Sequence, residues 1–233
     1  MNKNEQSRMP MLSLDKVTKH FTQGDNKLEI LSDASLTVAS GEMKALIGPS
    51  GSGKSTLLNI AGLLDTPTSG TVTIAGQQTD KLGRRKRGQL RRSHIGFVFQ
   101  FHRLLPEFSA LENIMIPQML NGLSRDEAAA RAEQLLQMVG LVNRDSHRPG
   151  LLSGGEQQRV AIARSVANAP RVLLADEPTG NLDPVTAASV FEHLSAIVHG
   201  TNTAALVVTH NQQLAHEMDS ILTLKNGVIE TIN

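Results

Sequence analysis

Cysteine, tryptophan and tyrosine are all missing from the 233-residue sequence. Without cysteine, disulfides, thiolate catalysis and Cys-ligated zinc are excluded, and a reducing compartment is permitted. Any aromatic stacking falls to six phenylalanines. Nothing approaches the ~18 uninterrupted apolar residues of a membrane span, and the opening stretch MNKNEQSRMPMLSLDKVTKH holds no apolar core of signal-peptide length. The expectation is a soluble chain, or one peripheral to a membrane through a partner. Excess charge is also lacking: 23 Lys+Arg against 22 Asp+Glu leave +1, so no global field advertises a nucleic-acid binder.

What is present has the patterning of an α/β fold. The runs Ala45-Leu46-Ile47, Val172-Leu173-Leu174-Ala175 and Ala205-Leu206-Val207-Val208 are apolar on both faces, which suits a parallel sheet covered by helices on each side. From Leu12 to Ile74, shorter alternating segments (Leu28–Leu31, Leu36–Val38, Thr71–Ile74) read as an antiparallel β-subdomain. Asn226-Gly227 between β-rich flanks in Leu222–Ile232 signals a hairpin. The middle turns helical: Ser109 with Glu112 and Ser124 with Glu127 have capping-box spacing, and Gly140 offers a stop. With no repeat or low-complexity linker, the length fits one domain over 1–233. Its core and β-subdomain are expected from 1–100 and 161–233, with a helical subdomain inserted over 101–160.

Gly48-Pro49-Ser50-Gly51-Ser52-Gly53-Lys54-Ser55 follows an apolar strand and precedes the helix-compatible Thr56-Leu57-Leu58-Asn59-Ile60. This is a P-loop in its required context. Glycines let backbone N–H groups turn toward an anion, and the following helix presents its positive end to the same phosphates. Lys54 adds a mobile charge near the β- and γ-phosphates, and the Ser55 hydroxyl can ligate Mg²⁺. A chance glycine-rich turn is discounted by the flanking strand and helix. Asp176 ends the apolar strand Val172–Ala175, at the sheet edge where ligands of open α/β folds bind, and is followed by Glu177. Asp176 can hold Mg²⁺ and Glu177 can accept a proton from an attacking water. Alone, Asp-Glu at a strand end is more often a solvated turn; the P-loop upstream reverses that weighting. The expected fold is a P-loop NTPase core with a mostly parallel sheet.

Leu152-Ser153-Gly154-Gly155-Glu156-Gln157-Gln158-Arg159 is long and specific. Ser153 and Glu156 form a third capping box, so the glycines, read as exposed, open a helix whose N-terminus is an anion site. With this stretch the chain resembles, over nearly its whole length, the ATP-binding subunits of ABC transporters. The resemblance implies ATP and Mg²⁺ as cofactors and an ATP sandwiched between the P-loop of one copy and Ser153, Gly154 and Gly155 of a second. It also implies that Gln100 senses Mg²⁺ and the attacking water, that His210 contacts the γ-phosphate, and that Gly180-Asn181-Leu182-Asp183 crosses the dimer interface. Asp183 before Pro184 is independently a plausible helix N-cap. Two departures stand out. Where the family commonly stacks adenine on a tyrosine, only Phe21 is at hand; it keeps a stacking face but equally fits a β-subdomain core. Asn211 stands where many relatives have Asp.

Within the family, Gly62-Leu63-Leu64-Asp65-Thr66-Pro67-Thr68-Ser69-Gly70, Phe99-Gln100-Phe101-His102-Arg103-Leu104-Leu105-Pro106 and Thr179–Asp183 are similar to the ATPases of bacterial lipoprotein-releasing systems. That likeness implies two integral inner-membrane permease subunits as partners, lipoprotein cargo met only indirectly, and a peripheral place on the cytoplasmic face of the inner membrane. Macrolide-exporter and cell-division ATPases are the alternatives. Leu104 and Leu105 are expected to be exposed anchors for a coupling helix of the membrane subunit, the other reading being core residues of the helical insert. Seven Lys/Arg and no acid occupy Lys81–Arg92, read first as a solvated face and second as a contact for anionic lipid. Nucleic acid is not an expected partner, because soluble relatives that bind it fuse two ATPase domains or carry long coiled-coil or zinc insertions. A non-enzymatic nucleotide-binding module is expected to lack Glu177 or His210, and both are present.

Overall fold

The computed structural model describes residues 9–23 and 26–232. Two long strands come first, β1 (Pro10–Gln23) and β2 (Asn26–Ala39), then the short strand β3 (Met43–Ile47) and helix α1 (Lys54–Ala61). β4 (Ser69–Ile74) and β5 (Gln77–Gln78) lead into helix α2 (Arg84–His94) and strand β6 (Ile95–Phe99). Next are α3 (Ala110–Leu120), α4 (Arg125–Met138) and, after a 3-10 turn at Pro149–Leu151, α5 (Gly154–Ser165). β7 (Val172–Asp176), α6 (Pro184–Thr201), β8 (Ala204–Val208) and α7 (Gln212–His216) precede the hairpin of β9 (Ser220–Lys225) and β10 (Val228–Ile232). None of the described helices is long and apolar enough to cross a membrane.

The described strands form two sheets. One is antiparallel, in the order β2-β1-β4-β5; the other runs β10-β9-β3-β8-β7-β6 and is parallel except for β10. Period-two alternation divides the parallel strands between two cores. Met43, Ala45, Leu173, Ala175, Ala205 and Val207 face the helices α3 to α7. Leu46, Val172, Leu174, Ala204 and Leu206 face α1 and the antiparallel sheet. Because both faces are covered, β3, β7 and β8 are apolar on both sides, with Lys44 in β3 and the terminal Asp176 of β7 as the polar exceptions.

Leu28–Leu31 and Leu36–Val38, read as separate segments, are two stretches of the single strand β2. Register shifts opposite Val17 and Lys19 re-aim its side chains between them. The Asn226-Gly227 turn is as expected, with Lys225 paired to Val228 and positive φ at both turn residues. Seven basic residues do not make one solvated face: Arg87 donates to the Thr79 carbonyl at 3.2 Å and Arg91 to that of Leu63 at 2.9 Å, fastening α2, while Lys81, Arg84, Arg85, Lys86 and Arg92 are exposed.

The pair expected to be exposed anchors is divided. Leu105 is 41% exposed, but Leu104 is only 8% exposed and joins the core shared by α3, α4 and α5. Asn113, buried in α3, explains why: its side chain exchanges hydrogen bonds with the backbone of Leu105 and donates to the carbonyls of Phe108 and Ser109. The Leu105 backbone is thereby pinned to α3, with Leu104 turned into the core and Leu105 left exposed.

All three capping boxes form, at Ser109/Glu112, Ser124/Glu127 and Ser153/Glu156. The last is reinforced by Arg144, whose Nε donates to Glu156 Oε1 at 2.8 Å while the Ser153 amide donates to Oε2. The Arg144 side chain, followed by the Ser153 amide, holds the Glu156 carboxyl down from 4.5 to about 2. A carboxylate lowered in the folded state contributes stability that is fully present above its unfolded pKa and is lost as pH falls through the folded one. The Arg144–Glu156 contribution is therefore present above pH 4.5 and lost on acidification toward about 2. Glu156→Gln keeps the capping geometry but removes the titration. Urea unfolding across this window should show a shallower acid loss for the variant than for the wild type; identical pH slopes would show that the pair contributes nothing.

Candidate active site

The parallel strands bring β3, β7 and β8 to the same sheet edge with their carboxyl ends, and each functional segment begins there. After β3 the chain turns through Pro49, Ser50 and Gly51, which form an exposed rim, and closes with the Ser52 amide donating to the Pro49 carbonyl at 3.2 Å. Gly53 then opens α1 at φ 100°, a left-handed conformation costly for any residue with a Cβ. No side chain caps the N–H groups of the first turn, Lys54, Ser55 and Thr56. The Ser52 hydroxyl is buried with no hydrogen-bond partner. Lys54 Nζ donates to the Gly48 and Pro49 carbonyls at 2.8 and 2.9 Å, which holds the cation over the loop. Uncapped amides, an orphan hydroxyl and a fixed cation around one turn suit a polyphosphate anion.

Across the edge, the Ser55 hydroxyl donates to Asp176 Oδ2 at 3.0 Å. Glu177 sits in the left-handed region at φ 48°, a conformation that a residue with a Cβ holds only under local constraint. Its amide is tied to the Val208 carbonyl at 2.9 Å. Both carboxylate oxygens meet His210: Oε1 lies 2.7 Å from Nδ1, and Oε2 accepts the His210 amide at 3.3 Å. The glutamate is mostly buried while the imidazole is exposed. Gln100 follows β6, whose last residue Phe99 pairs with Asp176. Its Nε2 donates to Asn181 Oδ1 at 3.2 Å, and Asn181 Nδ2 returns a bond to the Gln100 carbonyl at 3.3 Å. Asn181 as the partner of Gln100 is the contact that sequence reading missed; only its place in the Gly180–Asp183 loop pointed to it.

Ser153, Gly154 and Gly155 lie apart from this group. Among the described residues no hydrogen bond joins them to loop 48–55. Of the two glycines read as exposed, only Gly154 is; Gly155 is buried, and a Cβ there would stand 2.4 Å from Thr186 Cγ2, so it is packed against α6. Asp183 caps α6, accepting from the Val185 and Thr186 amides, each at 3.1 Å. Thr186 leads the hydrogen bonds that hold its carboxyl below the usual range. Phe21 is 46% exposed, so it is not the core residue of the alternative reading. Lys19 Nζ lies 5.0 Å from its ring centroid. Asn211 caps α7 by accepting the Leu214 amide at 3.3 Å, a task asparagine performs as well as aspartate.

The family model described as "ABC transporter" matches residues 31–180. The lipoprotein-releasing system ATP-binding protein LolD 1 of Rhodospirillum rubrum is 57% identical over 218 residues, which cover 94% of this chain and 96% of that protein. LolD of Paramagnetospirillum magneticum is 55% identical over the same shares. Among solved structures, the dimeric post-hydrolysis state of the ATP-binding cassette MJ0796 bound to ADP and Pi superposes with a TM-score of 0.86 at 39% identity, covering 96% of this chain and 99% of that one. The sheet edge and the capped helix lie in segments that these likenesses span, and a similarity this extensive leaves one assignment: the chain belongs to the ABC transporter family, as an ATPase.

Proposed function

We propose that the chain hydrolyses ATP for an inner-membrane complex that releases lipoproteins toward the outer membrane. The curated relatives are named as ATP-binding proteins of a lipoprotein-releasing system, and their similarity to this chain extends over 94% of its length. The observation that carries the hydrolytic reading is the 3.0 Å bond between Ser55 and Asp176, next to a carboxylate held by His210. Together these contacts support reading the edge as a phosphate cradle, a hydroxyl–carboxylate pair and a candidate base.

In this reading Gly48–Thr56 hold the ATP phosphates, and the Phe21 face stacks on adenine. Oxygen donors from Ser55, Asp176 and Gln100 suit Mg²⁺, a hard cation that takes few protein ligands and completes its shell with phosphate and water. When bound, Mg²⁺ neutralises phosphate charge. Glu177 accepts the proton of the attacking water, and His210, in contact with both carboxylate oxygens, fixes the direction of that carboxylate before it serves the γ-phosphate. Ser153, Gly154 and Gly155 close the nucleotide of a second copy, a role supported by the dimeric form of the cassettes that superpose on this chain. Two permease subunits would take up the resulting motion at the inner membrane's cytoplasmic face, with lipoprotein handled by them. Their coupling helices would dock in a cavity of about 420 Å³ that includes Leu64, Leu105, Ile116 and Leu120 in its wall.

Glu177→Gln should bind ATP normally and lose ~10²–10⁴-fold in turnover, the usual cost of a missing general base. An ATP-bound dimer should accumulate on size-exclusion chromatography; wild-type turnover in the variant would remove Glu177 from the role. Lys54→Ala should instead weaken ATP binding to the monomer by about 10–100-fold, as expected for loss of a ~1.5–3 kcal/mol charged hydrogen bond. Equilibrium titration with a fluorescent ATP analogue measures this directly.

The docking reading separates two neighbouring leucines. Leu105→Ser should leave the melting temperature and ATP affinity unchanged while weakening assembly with the membrane subunits by ~2–4 kcal/mol. Leu104→Ser should cost ~2 kcal/mol or more of fold stability, because its site is core. A large fall in melting temperature for Leu105→Ser would sink the interface assignment.

A further inference from the structure

α5 starts at the serine and glycines assigned to the second copy's nucleotide, and its body lies against β6, the strand that leads into Gln100. Gln158, buried in the middle of α5, donates from Nε2 to the carbonyl of Phe99 at 3.1 Å, immediately before Gln100. Arg164, near the end of the helix, donates from Nη2 to the carbonyl of His102 at 2.7 Å and from Nη1 to that of Arg103 at 2.8 Å. One helix thus grips the backbone on both sides of Gln100. The approach is also unusually close: a Cβ on Gly96, in β6, would fall 2.2 Å from the Ser165 carbonyl oxygen.

Fold stability alone does not call for these bonds. Desolvation pushes the Arg164 pKa down, and among the described residues no carboxylate pairs with it. A desolvated, unpaired cation is a poor stabiliser compared with an apolar side chain of the same volume. Its fork instead fixes two successive carbonyls of one loop, which is a positional constraint. From Gly154 to Arg164 the helix spans about 15 Å at 1.5 Å per residue, and an intact α-helix transmits displacement along its axis without bending over such a length. From the other side Asn181, in the loop that leads to α6, bonds both the side chain and the carbonyl of Gln100.

We propose that α5 is a rigid link, with Gln158 and Arg164 as positioning residues, so that closure of its N-terminus on a second copy's nucleotide sets the placement of this chain's own Gln100. The link rests on the reading that Ser153, Gly154 and Gly155 complete the site of a second copy. It makes the two ATP sites of a dimer interdependent: each chain's hydrolytic geometry depends on the nucleotide bound by the other.

The test is a double-mutant cycle in the full-length chain. Arg164→Gln should lower kcat by up to ~10²-fold, the scale of a displaced reacting group, with KM for ATP unchanged. Arg164→Lys, which keeps a donor within reach of the loop, should recover part of the loss. Gln158→Leu should reproduce it with the arginine intact. In a Gln100→Ala background Arg164→Gln should cost nothing further, because its effect passes through Gln100. Multiplying effects in that background, or a variant whose only defect is a lower melting temperature, would overturn the link. Persistence of the ATP-dependent dimer in Glu177→Gln/Ser153→Arg would overturn the two-copy reading beneath it, a failure readable separately from the cycle.

Discussion

The N–H groups of the first turn of α1 have no side chain to cap them, and beside them a buried hydroxyl on Ser52 has no partner. Buried or oriented donors left in this state are costly unless something outside the chain accepts from them. The left-handed Gly53 and the carbonyl-bound Lys54 hold that arrangement open rather than relieving it. A phosphate chain would satisfy all of these groups at once. The position of β3 in the interior of the parallel sheet then decides which other residues can take part: Asp176 reaches Ser55 because β7 lies one strand beyond β8, with all three carboxyl ends at one edge.

Two helix starts enter the proposed site, and they are built differently. α1 is uncapped and surrounded by groups of its own chain. α5 has a complete capping box, its Glu156 tied to Arg144, and its contacts at that end are with Leu182 and Thr186. A capped start has fewer orphan donors of its own, so what it offers is a rigid, exposed Ser153-Gly154 corner that another surface can approach. That no hydrogen bond joins these two starts among the described residues is what the proposed sharing of a site between copies accounts for. It also gives the Gly180–Asp183 loop its place, since Asn181 touches Gln100 while Asp183 caps the helix that carries Thr186.

Much of this was legible in the sequence because it rests on local rules. Strands buried on two faces read as apolar runs, Ser-x-x-Glu spacing marked all three capping boxes, and Asn226-Gly227 gave its turn. The phosphate loop was legible because glycine, lysine and serine at fixed spacing have few other uses. What escaped depends on contacts between distant segments. β2 passed for two segments because bulges opposite β1 interrupt its alternation. Leu104 and Leu105 look identical in sequence, and only the hydrogen bonds of Asn113 decide which one turns inward. Gly155 was read as exposed because its neighbour on α6 was unknown. The grip of Gln158 and Arg164 on the Gln100 loop is addressed to backbone carbonyls, which leave no signature in the residues that supply them.

The central claim is that each ATP is handled by the phosphate loop of one copy and the α5 start of another. Complementation tests it most directly. Lys54→Ala disables a copy's phosphate loop and Ser153→Arg blocks its α5 start, so each variant alone forms no intact site. A mixed dimer regains one, from the loop of the Ser153→Arg copy and the helix of the Lys54→Ala copy. Steady-state ATP hydrolysis should be near zero for either variant and should reappear on mixing, up to ~10²-fold below the wild-type rate because the α5 of the copy that supplies the loop closes on no nucleotide, and should rise with protein concentration as mixed dimers form. Hydrolysis by either variant alone at the wild-type rate, or no recovery on mixing two folded variants, would contradict a site divided between copies.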